Sequence, residues 1–270
     1  MTTLVLGGTG KTGRRVIDRL TALGRPVRSG SRSAVPSFDW ADRGGWADVL
    51  EGVESVYVTY YPDLAVPGSV DDIEAFTALA VQSGVRRIVL LSGRNEPQAE
   101  ASERVVQGSG LEWTVVRCAW FMQNFSEGYL RDAVLDGVIA LPAGDVAEPF
   151  VDVDDIADVV VAALTQDGHA GRLYELSGPR LLTFADAAAD LAAALGRPVT
   201  YLPVTAAEFA AGAIEQGVPE DEVAMLNGLF AEVLDGRNAY VSDGVREALG
   251  RQARDFTPFA MEWGKTLPSA

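Results

Sequence analysis

Seven residues decide most of what this chain can become. Gly7-Gly8-Thr9-Gly10-Lys11-Thr12-Gly13 follows the apolar run Thr2-Thr3-Leu4-Val5-Leu6 and opens an amphipathic stretch to about residue 23. Four glycines in seven positions let a strand turn sharply into a helix and bring backbone close to an anion, which then meets the helix's unpaired amides and positive dipole end. The spacing satisfies G-x-G-x-x-G through Gly8, Gly10 and Gly13, and G-x-x-G-x-x-G through Gly7, Gly10 and Gly13. Gly10-Lys11-Thr12 has the ending of a P-loop, but that motif's leading glycine would fall at Val5, inside the strand. The turn suits the pyrophosphate of a dinucleotide.

The rest of the chain repeats the same strand-then-helix rhythm. Strands are expected near 2–6, 26–30, 54–59, 86–91 and 112–117, and helices near 11–23, 68–83 and 97–109. Runs such as Arg87-Ile88-Val89-Leu90-Leu91 are apolar without alternation, as in parallel strands covered on both faces. Gly24, Gly84 and Gly110 each close a helical stretch, where a left-handed cap is wanted. Beyond residue 118 the rhythm loosens into a helix to Asp136, extended pieces near 138–141 and 148–153, and a helix from Asp154 or Asp155 to about Leu164. A further strand falls near 172–177, Thr183 caps an alanine-rich helix, and helices follow near 205–216, 219–234, 243–249 and 256–264. The predicted fold is α/β, a Rossmann doubly wound parallel sheet with a smaller, mostly helical C-terminal substrate lobe. The division expected is 1–150 for the dinucleotide-binding domain, with the strand near 172–177 added to it, and 151–270 for the smaller lobe.

Charge narrows the partners. Thirty-eight acidic against 22 basic residues give −16, so the average surface repels nucleic acid and anionic membranes, and an anionic ligand needs a local site. No apolar run approaches the roughly 20 residues that span a bilayer, and the start of the chain reads as a strand, not a signal peptide. One cysteine, Cys118, forms no intrachain bridge and fits a reducing compartment, so the expected location is the cytoplasm. A small-molecule substrate and a monomer or homodimer complete the expectation.

The second strand carries the cofactor preference. An enzyme that prefers NAD places an acid there for the ribose 2′-hydroxyl. Here the strand ends Val27-Arg28-Ser29-Gly30-Ser31-Arg32-Ser33, with no carboxylate. Arg32, between Ser31 and Ser33, offers a charge-assisted fork to a 2′-phosphate, with Arg28 or Lys11 adding to the field. NADP(H) is therefore expected over NAD. Asp39-Trp40 follow, where either an adenine contact or core packing fits Trp40.

The opening glycine turn, Leu91-Ser92-Gly93 after a central strand, Trp113-Thr114-Val115-Val116-Arg117 leading to Trp120-Phe121-Met122-Gln123-Asn124-Phe125, and the run from Phe150 to Ala157 together resemble the NmrA-like group of atypical short-chain dehydrogenases and reductases. The resemblance covers nearly the whole chain. Thr59-Tyr60-Tyr61-Pro62 and the run from Tyr174 to Pro179 are most similar to bacterial relatives of ergot-alkaloid reductases, the agroclavine dehydrogenase and festuclavine synthase type. It implies an NADP-binding Rossmann lobe and a smaller substrate lobe, in a group that holds quinone reductases, imine or iminium reductases and cofactor sensors without turnover. Function therefore rests on the site.

Short-chain dehydrogenases lead one to expect a Tyr-x-x-x-Lys pair beyond a catalytic serine, and between Ser92 and Trp113 there is neither tyrosine nor lysine. Ketone reduction by that route is disfavoured. Hydride transfer to an iminium carbon needs less help, because its nitrogen already carries the charge that a carbonyl oxygen would have to develop. The expected activity is NADPH-dependent reduction of a small or medium organic electrophile, an imine or iminium first and a quinone or enone second, with a non-catalytic NADP(H) sensor as the rival. Ligands of such folds gather at the carboxyl ends of the central strands. The candidates there are Thr59, Tyr60, Tyr61 and Asp63, then Ser92 and Arg94, then Cys118, Trp120 and Phe121. Tyr60, Tyr61 and Ser92 are candidate proton donors. Thr59, Tyr60, Ser92 and Cys118 join the turn from Gly7 to Gly13 and the triplet Ser31, Arg32, Ser33 around the cofactor, while Tyr61, Asp63, Arg94, Trp120 and Phe121 are candidate walls for the substrate. Asp152, Asp154 and Asp155 have no histidine or cysteine beside them and read as a helix cap with solvated neighbours, not a metal site. His169 reads as a surface turn residue, and Cys118 as a packing thiol.

Overall fold

The apolar run ahead of the glycine turn, Thr2–Leu6, is β1 of the computed structural model, which describes residues 2–267. In chain order it is followed by α1 (Lys11–Ala22), β2 (Val27–Gly30), α2 (Trp46–Leu50), β3 (Val53–Val58), α3 (Ser69–Gln82), β4 (Arg87–Gly93), α4 (Pro97–Gln107) and β5 (Glu112–Cys118). Gly24, Gly84 and Gly110 have φ of +67°, +83° and +80°, so the helix ends fall where the glycines placed them. The short α2 and the 3-10 turn Arg43–Gly45 before it carry no periodic signal. They form because Phe38, Trp40 and Trp46 pack with Phe76 of α3, with ring centroids 5.0–6.1 Å apart.

Past β5 the chain makes α5 (Asn124–Glu127), α6 (Leu130–Asp136), β6 (Val138–Leu141) and β7 (Ala147–Glu148), then α7 (Val153–Thr165) and β8 (Arg172–Leu176). There follow β9 (Leu182–Thr183), α8 (Phe184–Leu195), β10 (Thr200–Pro203), α9 (Ala206–Glu215), α10 (Glu220–Val233), α11 (Gly244–Leu249) and α12 (Phe256–Thr266). Thr183 caps α8 as expected, in a capping box with Asp186.

Six strands form one parallel sheet in the order β2-β1-β3-β4-β5-β8. Leu4, Leu6, Val56, Val58, Ile88 and Leu90 point to one face, where they share a buried cluster with Trp46, Phe76 and Val106. Deleting one such ring costs about 3–5 kcal/mol. The direction of strand addition reverses beside β1, so the residues after β2 and after β3 flank the glycine turn on its two sides.

The boundary expected at residue 150 is replaced by a discontinuous division. Among the described residues one unit holds 2–118, Val153–Leu176 and Asp243–Arg251; the other holds Ala119–Asp152, Ser177–Ser242 and 252–267. The physical reason lies in α7, which packs on α1, β3, β4 and β5; β8, the strand expected near 172–177, extends the sheet beyond β5. α11 then packs on α7 and β8, and a side chain at Gly244 would collide with the backbone of Glu175. In the second unit β10 pairs with β6 and β7 with β9, around a core of Phe125, Phe150, Phe184, Phe230 and Phe256. Among the described residues no helix is long and apolar enough to cross a membrane.

Candidate functional site

The turn after β1 is shaped by contacts that exclude side chains. Gly7 lies at φ +63°, and a Cβ there would strike Thr59 Oγ1; a Cβ at Gly13 would strike the Gly7 carbonyl. Gly8 likewise leaves no room, against Ser29 and Ile17. The Gly10 amide donates to the Gly7 carbonyl at 2.8 Å, and Gly10 enters α1 in extended backbone with no side chain capping the helix and no acid in its first turn. The amide-rich, positive end of a 12-residue helix is thus left for an anion. This cradle fits a dinucleotide pyrophosphate.

Beyond β2, the Ser31 and Ser33 hydroxyls lie 3.3 Å apart, and the Ser31 carbonyl accepts the Ala34 and Phe38 amides. Arg32 projects into solvent with its guanidinium carbon 5.5 Å from the centroid of the Tyr61 ring. Arg28 does not join it. Its Nη1 donates to the Val49 and Glu51 carbonyls, 2.7 Å each, and ties β2 to the end of α2. Lys11 is half-buried at the start of α1.

Beyond β3, Thr59 is anchored twice: its hydroxyl donates to the Leu6 carbonyl at 3.1 Å, and its carbonyl accepts Trp40 Nε1 at 3.1 Å. Trp40 is therefore a core residue that braces the loop. Tyr60 packs against Trp40 with ring centroids 4.8 Å apart and planes inclined at 40°, and donates its hydroxyl to Asp72 Oδ2 at 2.7 Å. Burial and the Asp72 carboxylate push the Tyr60 phenol well above its usual pKa, so it is a poor acid with its proton already committed. Tyr61, by contrast, is 70% exposed. Asp63 accepts the Ala65 amide at 2.8 Å and shapes the following turn.

At the ends of β4 and β5 the sheet register sets Ser92 beside Arg117 and Gly93 beside Cys118. Ser92, expected as a proton donor, instead gives its hydroxyl hydrogen to Glu103 Oε1 at 2.6 Å. Arg117 Nε reaches the same oxygen at 2.9 Å, and Arg117 Nη1 lies 3.8 Å from Glu175 of β8. Arg94, expected at the substrate, is 1% exposed and pairs with Glu175 at 3.2 Å. A chain of charges thus locks β4, α4, β5 and β8 together. Cys118 is buried, and burial pushes its thiol pKa up, which makes it a packing group.

In the second unit, Trp120 packs 5.6 Å from Phe184 and 5.8 Å from Phe230, while Phe121 bridges to Val151. Asp152 is held by Gln123 Nε2 at 2.8 Å. In the first, half-exposed Asp154 pairs with Arg19 at 2.6 Å and buried Asp155 with Arg251 at 2.7 Å, so the acids at the start of α7 are neutralised by arginines. His169 is also corrected: it is buried, with Nδ1 2.9 Å from the Tyr174 hydroxyl.

No family model matches the sequence. Agroclavine dehydrogenase of Claviceps fusiformis is 32% identical over 280 residues, which covers 97% of this chain and 97% of that protein. The (4-alkanoyl-5-oxo-2,5-dihydrofuran-3-yl)methyl phosphate reductase of Streptomyces griseus is 36% identical over 284 residues, 96% of each. This chain belongs to the NmrA-like atypical short-chain dehydrogenases and reductases. Its fold is shared with the NADPH-dependent quinone oxidoreductase of Escherichia coli solved with NADPH, at a TM-score of 0.81 and 21% identity over 96% of this chain and 99% of that one.

The chain is an NAD(P)H-dependent oxidoreductase, with NADP(H) as its cofactor. The residues named from sequence separate into two sets on this scaffold. Gly7, Gly8, Gly10 and Gly13 form the cradle, and Ser31, Arg32, Ser33, Thr59 and Tyr61 stand around it. Tyr60, Ser92, Arg94 and Cys118 turn inward. Glu103 was missed, yet it had a signal. Ala99, Ser102, Glu103 and Val106 form the buried stripe of α4, and a carboxylate on such a stripe demands a partner.

Proposed function

We propose that this NADPH-dependent reductase delivers hydride to the carbon of an imine or iminium in a small or medium organic substrate. The observation that carries the proposal is the Ser92 hydroxyl, which is spent on buried Glu103; Tyr60 is likewise spent on Asp72. Reduction of a ketone needs an acid at the oxygen, whereas an iminium nitrogen, including that of an imine protonated from water before it binds, needs none to become a neutral amine. The backbone amides at the start of α1 would hold the pyrophosphate, and Arg32 with Ser31 and Ser33 the 2′-phosphate. Bound NADPH supplies the hydride. Kinship with agroclavine dehydrogenase supports a nitrogen heterocycle as substrate, and the lone thiol supports a cytoplasmic setting.

A second reading has its own support. The Streptomyces griseus relative is named for a conjugated 5-oxo-2,5-dihydrofuran, so an activated alkene is the alternative acceptor. NADPH oxidation followed against cyclic imines, iminium salts, conjugated enones and quinones separates the two. Turnover of imines or iminium salts at higher kcat/KM than enones and quinones is expected. Preference for the enones would favour the alternative, and tight NADPH binding with no oxidation by any acceptor would overturn both.

A further inference from the structure

We propose that Tyr61 is a positioning residue for cofactor choice, its ring steadying the Arg32 guanidinium for the 2′-phosphate of NADPH. This rests on the reading that Arg32 binds that phosphate. The sequence places Tyr61 among groups facing the substrate, but the topology points elsewhere. Strands β2 and β3 flank β1, so the loop that carries Arg32 and the loop that carries Tyr61 stand on either side of the glycine turn. The two residues meet at 5.5 Å.

Three observations make the contact purposeful. Tyr61 keeps a large ring 70% exposed while Tyr60 beside it is packed against Trp40 and bonded to Asp72, and Thr59 is bonded to Leu6 and Trp40. The backbone that presents Tyr61 is thus anchored, although its side chain is not buried. Arg32 is itself exposed, on a long side chain with many rotamers and a guanidinium that cannot lose its charge. A guanidinium over an aromatic face keeps its N–H edge clear for a bidentate bond to phosphate, so the ring narrows the rotamers without consuming donors. Finally, a chain of net charge −16 repels a 2′-phosphate on average, which makes one well-placed cation decisive.

Dissociation constants for NADPH and NADH, read from quenching of tryptophan fluorescence in the purified 270-residue chain, test the proposal. Arg32→Ala should weaken NADPH by about tenfold or more with NADH little changed. Tyr61→Leu should weaken NADPH by about three- to tenfold with NADH unchanged. Tyr61→Phe and Tyr61→Trp should bind NADPH as the parent does, since both keep an aromatic face. In the Arg32→Ala background Tyr61→Leu should add nothing. If Arg32→Ala weakens NADPH and not NADH but Tyr61→Leu weakens both cofactors alike, affects neither, or adds its full effect to Arg32→Ala, Tyr61 does not act through Arg32. If Arg32→Ala costs NADPH and NADH equally, the phosphate assignment fails and the proposal with it. Circular dichroism of each variant shows that it is folded, and the two aromatic replacements keep the test decisive should the leucine variant unfold.

Discussion

His169 is the only histidine in the chain, and its surroundings favour the neutral ring. Burial, with Arg87 and Arg172 nearby, holds its pKa below the ordinary value near 6.5, while Nδ1 meets the Tyr174 hydroxyl. The unfolded chain therefore takes up a proton first as the pH falls. Stability conferred by the neutral ring is complete above about pH 6.5 and shrinks as the pH drops from there toward the lower folded pKa. Denaturant midpoints measured between pH 7.5 and about 5 should fall more steeply for the parent than for His169→Gln. Parallel curves would mean that the imidazole is not the group responsible. The residue also marks a limit of reading a sequence: Gly168 and Gly171 around it do form turns, as their φ of +93° and +73° show. Burial came from the hydrogen-bonded contact with Tyr174 of β8, which nothing local in Gln166–Gly171 announces.

At the level of elements, α4 is held to the sheet by charge as well as by apolar contact. Glu103, 2% exposed, accepts both the Ser92 hydroxyl and the Arg117 guanidinium. Its loss would strand a largely buried arginine. Glu103→Leu should destabilise the protein by about 3–5 kcal/mol, a shift in denaturation midpoint at unchanged slope. Glu103→Gln, which keeps an acceptor for Ser92, should cost less. Equal midpoints for Glu103→Leu and the parent would show that Arg117 is satisfied by Glu175 alone. The regular elements of the sheet were legible because each rests on a local signal: the unalternating apolar runs for β1, β3, β4 and β5, and the glycine caps for α1 and α3. The cradle was legible for the same reason, since Gly7, Gly10 and Gly13 act on one another within a single turn. What escaped were directions. Tyr60 and Ser92 stand at strand ends as expected, but whether a hydroxyl faces a ligand or a carboxylate depends on Asp72 and Glu103, from helices later in the chain.

For the whole molecule, the chain changes unit five times, after Cys118, Asp152, Leu176, Ser242 and Arg251. A fragment of residues 1–150 contains every glycine of the cradle, yet it lacks α7 against α1, β8 against β5, and the Asp154 and Asp158 partners of Arg19. It should therefore show no cooperative thermal transition and no NADPH binding. A sharp transition with parental affinity would show instead that the first five strands suffice. The boundary at residue 150 left α7 and α11 out of the first unit because composition does not record which late helices a sheet will collect, whereas the strand near 172–177 is assigned to that sheet from sequence. The same threading has a consequence for the protein as it is made. Synthesis from the amino terminus yields β5 long before β8, and through all of Ala119–Gly171 the outer edge of β5 offers unpaired amides and carbonyls to any neighbouring strand. The nascent chain is most prone to aggregate in that interval, and shielding it from other half-made copies matters most before Arg172–Leu176 emerges from the ribosome.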